Sequence, residues 1–305
     1  MNARPPGADD GPTSAGGPFR FTAIGTGWEI DTGRPLPVEL RQRIVSLTDD
    51  FDQVWSRFRT DSLVTQVAHA EGGGRFEFPG RDVALFELYD RLVTATGGAV
   101  DPLVGRDLEL LGYDARYSLV PAQAAAARGR RRDSWLSDIR REATTITTDR
   151  PVVIDVGAAG KGHLVDLIAH TLLAAGLAGF VIDGSGDLRH RGTEPVTVGL
   201  EHPTAPGRVI GTVPLRDAAL CASATSRRAW GDGLHHILDG RTRRPVSEVV
   251  ATWAIAADAA TADGLATALF VSEPDCLRSF AFRWVRMLAD GRVQWSNNFG
   301  GELFL

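Results

Sequence analysis

The residues best suited to chemistry in this chain are a glycine-rich bend and an acid–hydroxyl pair. The bend is Gly157-Ala158-Ala159-Gly160-Lys161-Gly162, between a strand ending at Asp155 and a helix opening near Lys161. Backbone amides at such a bend and the positive end of the helix dipole attract an anion, and Lys161 adds a full charge. It is not a P-loop, because the required earlier glycine is Asp155 and the residue after the lysine is Gly162. Gly184-Ser185-Gly186 likewise fails as a dinucleotide fingerprint, because its third glycine position is Arg189. On residue type alone, the bend serves equally as a packing turn with an exposed lysine.

The acid–hydroxyl pair is Asp263 and Thr267, spaced to share one face of a helix. Carboxylate and hydroxyl are hard oxygen ligands that suit Mg²⁺, which completes its shell with water and phosphate. The alternative is a polar pair on a solvated face, but the small apolar neighbours in AATADGLATALF argue against simple solvation. A third group is His235-His236-Ile237-Leu238-Asp239, followed by Arg241 and Thr242. It suits proton handling and phosphate contact, or is merely an edge strand with an exposed histidine pair. No third His or Cys stands at zinc-ligand spacing. Ala99-Val100-Asp101-Pro102, after Gly97-Gly98, is a turn or the lip of a pocket. Neither a GxSxG elbow nor a Cys–His signature is present, so a hydrolytic nucleophile is not indicated.

These residues need elements to hold them. Spacings of three and four predict helices over 38–58, 83–96, 160–176 and 258–271. On the third of these, Leu164, Leu167, Ile168, Leu172 and Leu173 share a face. Residues 21–30 read as one short strand, 144–157 as a strand that becomes buried, and 251–257 as a strand entering the Asp263 helix. The C-terminal segment reads as a hairpin turning at Asp290-Gly291. Strands and helices mix without βαβ alternation, so the expected class is α+β, with mixed sheets and packed helices.

Composition narrows the function. Lys and Arg number 33 against 38 Asp and Glu, a formal net charge of −5 that leaves no global nucleic-acid footprint. The cluster Arg128, Arg130, Arg131 and Arg132 lacks aromatic interleaving and reads as a solvated loop. Cys221 and Cys276 are too few for a disulfide framework. No run is long and apolar enough to cross a membrane, and no apolar segment follows Arg4 as a secretory signal requires. Without a cysteine to lipidate near the start, the expectation is a chain with no membrane anchor, in the cytoplasm. Residues 1–18 are expected to be a disordered tail, with one domain over 19–305.

Taken in order, the segments resemble the FAD:protein FMN transferase (ApbE-type) family from about residue 21 onward. IGTGWEI is similar to the family's opening Met-Gly-Thr, with Ile24 in the methionine place, and WSRFRTDS to its Ser-x-Tyr-x-x-x-Ser block, with Phe58 at the aromatic position. GGAVDPLVGRD resembles the Gly-x-Phe-Asp-Pro stretch, and IDVGAAGKGHLVD the Asp-Leu-Gly-x-x-Ala-Lys-Gly-x-x-x-Asp core. HHILDGRTRRPV is similar to the His-x-Ile-Asp-Pro-x-Thr-Gly-x-Pro block, and ATADGLATAL to the Ala-Asp-x-x-x-Thr metal helix. Asp-Pro-x-Thr-Gly is here Asp239-Gly240-Arg241-Thr242-Arg243, and an upstream Thr-Ser-Gly is Ala222-Ser223-Ala224.

The resemblance implies an α+β enzyme that binds FAD as substrate with Mg²⁺. It would transfer FMN to a Ser or Thr hydroxyl of an acceptor flavoprotein and release AMP. By position, it implies flavin contacts from Ile24, Phe58, Ala99, Val100, Asp101, Asp155, Lys161 and Val246, and metal ligation by the Ala158 carbonyl, Asp263 and Thr267. His236, chosen over His235 by its distance to Ile237 and Asp239, takes the motif-histidine place. Either His236 or Asp263 would be the catalytic base, with Lys161 and the amides of Gly160 and Gly162 sharing the phosphate charge. Two other outcomes fit the same residues: a Mg²⁺-dependent FAD pyrophosphatase and a non-catalytic FAD-binding protein.

Overall fold

The computed structural model describes residues 17–122 and 131–304. The chain opens with a hairpin, β1 (Phe19–Ala23) and β2 (Thr26–Asp31), then helices α1 (Val38–Trp55) and α2 (Leu63–His69). Strand β3 (Gly74–Glu77) precedes helices α3 (Val83–Ala95), α4 (Gly105–Leu110) and α5 (Trp135–Asp138). Strands β4 (Arg140–Glu142) and β5 (Thr145–Thr148) join β3 in a small sheet. Helix α6 (Gly160–Ala174) leads to β6 (Phe180–Asp183), β7 (Asp187–Arg191), β8 (Val196–Glu201), β9 (Val209–Leu215) and β10 (Ala219–Ala224). Two short pairs follow: β11 (Ala229–Trp230) with β12 (Leu234–His235), and β13 (Leu238–Asp239) with β14 (Arg244–Pro245). The chain ends with β15 (Val249–Ala256), α7 (Ala259–Val271), β16 (Arg283–Leu288), β17 (Val293–Trp295) and β18 (Glu302–Leu303).

The centre is an eight-stranded sheet in the order β1-β2-β6-β7-β10-β15-β16-β17. The α+β class holds. All strand pairings among the described residues are antiparallel, however, so the sheets are not of mixed direction. Alternation along the strands sorts the two faces. Ala219, Cys221, Ala254 and Ala256 point to the helical core, where their small side chains let α7 lie close. Leu220, Trp253, Ile255 and Val285 point the other way, into a second core under the sheet β18-β9-β8.

Several elements differ from the sequence expectation for physical reasons. Residues 21–30 are not one strand: Ile24 at φ +46° and Gly25 at +74° fold them into a hairpin. Only Thr145–Thr148 of the 144–157 segment joins a ladder. Beyond it, Val152, Val153 and Ile154 are buried by packing, and Asp155 N–H donates to the Pro102 carbonyl at 2.7 Å. On α6, Leu164, Ile168 and Leu172 are buried as expected, but Leu173 is exposed. Of the expected tail, all but Gly17 and Pro18 lies outside the described residues, as do Arg128 and Arg130 of the arginine cluster. Arg131 pairs with Asp138, and Arg132 Nη1 donates to the Arg241 carbonyl at 2.5 Å. No helix among the described residues is long and apolar enough to cross a membrane.

Candidate active site

The bend 157–162 and the Asp263 helix meet. Gly162, in the first turn of α6, has no side chain, and a Cβ there would stand 2.2 Å from the Ala259 carbonyl oxygen and 2.7 Å from Asp263 Cβ. That absence lets α6 and α7 touch, and Gly162 N–H donates to Asp263 Oδ2 at 2.9 Å. One turn further on, the Asp166 carboxylate accepts the N–H groups of Ala259 at 3.0 Å and Ala260 at 2.8 Å, capping the start of α7 from the neighbouring helix. Thr252 Oγ1 on β15 donates to the Ala266 carbonyl at 2.7 Å and fixes the same helix from the sheet side. Thr267 Oγ1 thereby reaches the Ala158 carbonyl, 3.4 Å away.

Carboxylate, hydroxyl and backbone carbonyl thus converge, a donor set for a hard divalent cation. The charges around it fit as well. Asp187 is fully buried, with Oδ2 2.5 Å from Lys161 Nζ, and it lies beside buried Asp263. Burial first, and Asp187 second, push the Asp263 carboxyl well above the usual carboxylate range. With both carboxylates ionised, two negative charges would face one ammonium, an excess that a bound cation would offset in place of the proton. No cluster of three His, Cys, Asp or Glu side chains able to hold a metal occurs among the described residues.

A cavity of about 680 Å³ opens beside this cluster. Ile24, Phe58, Ala99, Val100, Asp101, Asp155, Ala158, Lys161, His236, Asp263 and Thr267 all line it. Val246 does not: its carbonyl accepts from His235 Nε2 at 2.7 Å, behind the wall. His235 also accepts the Ile237 N–H on Nδ1 at 3.2 Å, so both its ring nitrogens are occupied by backbone. His236 is the histidine that faces the cavity. Burial and then nearby Arg228 push its pKa down to about 4, leaving the ring neutral at pH 7.

Other groups have firmer duties than the sequence suggested. The Gly160 amide donates to the Val156 carbonyl at 2.7 Å and the Gly162 amide to Asp263, so neither shares phosphate charge as expected. Lys161 faces Asp187. Asp101 accepts Leu103 N–H at 2.8 Å and Trp135 N–H at 3.1 Å, which makes it the brace of its loop as well as cavity lining. Asp155 accepts Gly157 N–H at 2.7 Å and Arg57 Nε–H at 2.5 Å. Burial raises its pKa, but the Arg57 guanidinium, together with the Gly157 N–H and Arg228, holds it below the usual range.

Sequence reasoning missed Arg57, Tyr113 and Tyr117, which also line the cavity. Phe58 stacks on Tyr117 at 4.9 Å and meets Tyr113 edge-on at 5.3 Å. The Arg57 guanidinium lies over the Phe58 ring at 4.3 Å. Together they form an aromatic wall suited to a flat heterocycle. The signal was present in GYDARY, two tyrosines four apart after the Asp-Pro stretch.

A sequence model of the ApbE family matches residues 24–287. The chain belongs to the ApbE family. It is 29% identical over 280 residues to a FAD:protein FMN transferase of Rhodobacter capsulatus, covering 87% of this chain and 53% of that protein, so it spans about half the relative's length. It is 27% identical over 244 residues to a FAD:protein FMN transferase of Vibrio cholerae, covering 76% of this chain and 73% of the relative. The fold matches the flavin transferase ApbE from Vibrio cholerae with a TM-score of 0.79, at 24% identity over 92% of this chain and 97% of that one. It matches the ApbE protein from Thermotoga maritima with a TM-score of 0.81, at 24% identity and the same coverage.

Geometry accounts for one departure of this ApbE-family chain. Gly240 stands where the motif has proline, and its N–H donates to the Ala99 carbonyl at 2.8 Å. A Cβ there would stand 2.4 Å from the Gly98 carbonyl oxygen. The close approach admits only glycine, and proline has no N–H to give.

Proposed function

We propose that this ApbE-family protein is a FAD:protein FMN transferase. It binds FAD in the cavity and passes FMN through its phosphorus to a Ser or Thr hydroxyl of an acceptor flavoprotein. The observation that carries the reading is one cavity lined by a neutral histidine, an aromatic wall and the oxygen cluster of Ala158, Asp263 and Thr267. The names of the curated relatives support the same reaction.

Phosphoryl transfer asks for positioning and charge neutralisation more than covalent help. Asp263, Thr267 and the Ala158 carbonyl would hold Mg²⁺, whose chemistry is to neutralise pyrophosphate oxygens. The wall of Phe58, Tyr113 and Tyr117 would lie against a flat ring of the dinucleotide. Asp263 is already engaged by Gly162, so His236 is the proton acceptor in this reading. With its proton on Nδ1, facing the Arg228 carbonyl at 3.4 Å, His236 offers the Nε2 lone pair to the incoming hydroxyl. The acceptor's oxygen–phosphorus bond forms as the bond to AMP breaks; the hydroxyl proton passes to Nε2, and AMP departs with the electron pair. The cytoplasmic location expected from sequence belongs to the same reading, and cell fractionation tests it.

Incubation with FAD, Mg²⁺ and an acceptor protein decides the matter. Covalent FMN on the acceptor with one AMP released per flavin supports transfer. Free FMN plus AMP, with no labelled acceptor, makes the protein a hydrolase. Bound FAD with no AMP makes it a binding protein.

A further inference from the structure

Arg243 holds a left-handed backbone, φ +60°, closing a turn in which its N–H donates to the Asp239 carbonyl at 2.7 Å. Non-glycine residues are disfavoured there, so the side chain must return something for its place. Its guanidinium is largely buried. Nη1 donates to the Leu103 carbonyl at 3.2 Å and to Asp107 Oδ2 at 3.1 Å, and Nη2 donates to the Asp133 carbonyl. One planar fork therefore joins three chain segments: the turn after His236, the start of α4 and the approach to α5.

The same segments meet at further bonds. Gly240 N–H reaches the Ala99 carbonyl, Trp135 N–H reaches Asp101, and Arg132 reaches the Arg241 carbonyl. Ala99, Val100 and Asp101 line one side of the cavity, and His236, Ile237 and Leu238 line another. Arg243 does not line it. It stands behind the seam where these two walls join.

We propose that Arg243 is a positioning residue that clamps the 99–101 wall to the 236–238 wall and so sets affinity for the dinucleotide. The affinity part rests on the FMN-transferase reading. The clamp acts through the backbone it holds, with no contact to ligand.

Arg243→Gly is the informative variant, because glycine is at ease at φ +60° and the backbone gains no strain. Arg243→Lys keeps the charge but loses the planar fork that serves several acceptors at once. Two readouts are needed: FAD binding by isothermal titration, and amide hydrogen exchange over 99–103 and 236–240. In the Gly variant, exchange over both segments should accelerate about tenfold, the FAD Kd should rise about tenfold, and the loss should fall on KM more than on kcat. The Lys variant should lie between. Unchanged exchange in Arg243→Gly overturns the clamp, whether or not FAD binds. An unchanged FAD Kd beside faster exchange overturns its role in affinity. Accelerated exchange in a protein whose wild type binds no FAD upholds the clamp and sinks the FMN-transferase reading instead.

Discussion

Asp263 Oδ2 accepts the N–H of Gly162 at 2.9 Å, joining residues 101 positions apart at the crossing of two helices. That bond puts the carboxylate beside the bend, and the candidate metal position follows from it. The contact exists only because residue 162 lacks a side chain.

Gly162→Ala should therefore drive α6 and α7 apart. The new methyl would meet backbone carbonyl and Asp263 Cβ, neither of which can swing aside. Overpacking of this kind costs about 1–3 kcal/mol, more than the helix propensity alanine gains. Thermal denaturation should show a lowered Tm, and Mg²⁺-dependent AMP release should fall with it.

Asp263→Asn separates stability from function. A carboxyl whose folded pKa is raised loses stability as pH climbs from its unfolded value, 3.8, toward its folded one. At pH 7 without metal, the neutral amide should be as stable as wild type or more so. Flavin transfer should drop by about 100-fold or more. The rise in Tm that Mg²⁺ gives wild type should shrink in the variant. Wild-type transfer rates in the variant would refute the metal assignment.

His236 should leave a mark on acid stability. Its pKa is about 4 in the folded protein against 6.5 for the free ring. The unfolded chain takes up a proton below 6.5 while the folded ring resists until about 4, so this residue lowers stability as pH falls through that window. Denaturant titrations of His236→Gln should show a shallower loss from pH 6.5 to 4. Transfer at pH 7 should fall by about 100-fold if the ring takes the hydroxyl proton.

Restoring the motif proline at 240 should harm this chain. Gly240→Pro removes the N–H given to Ala99 and adds a ring beside the Gly98 carbonyl. The lost bond and the clash together should cost about 2–4 kcal/mol. Urea unfolding measures the loss, and FAD titration should show weaker binding from the displaced 99–101 wall.

Much of the site was legible because its chemistry is local. A buried apolar segment, a bend and a helix lie contiguous at 153–165, and Asp263 and Thr267 are one helical turn apart. Both patterns survive without knowledge of what packs against them. Arg57 was invisible because its role comes from Asp155, 98 positions away, and from the rings of Phe58 and Tyr113. Nothing local to Lys161 reveals that Asp187, at the start of β7, pairs with it. The amides of Gly160 and Gly162 looked available for the same reason: their acceptors become known only with the fold. The 21–30 hairpin was hidden by Ile24, a β-branched residue that seldom takes a left-handed turn.

That isoleucine has a bearing on engineering. It occupies the first of two left-handed turn positions while also lining the cavity. Asn or Gly would relax the turn, so selection for heat resistance alone should favour them there. The hardier variants would surrender an apolar contact in the cavity wall, and a screen that scores only survival would discard catalysts without registering the loss.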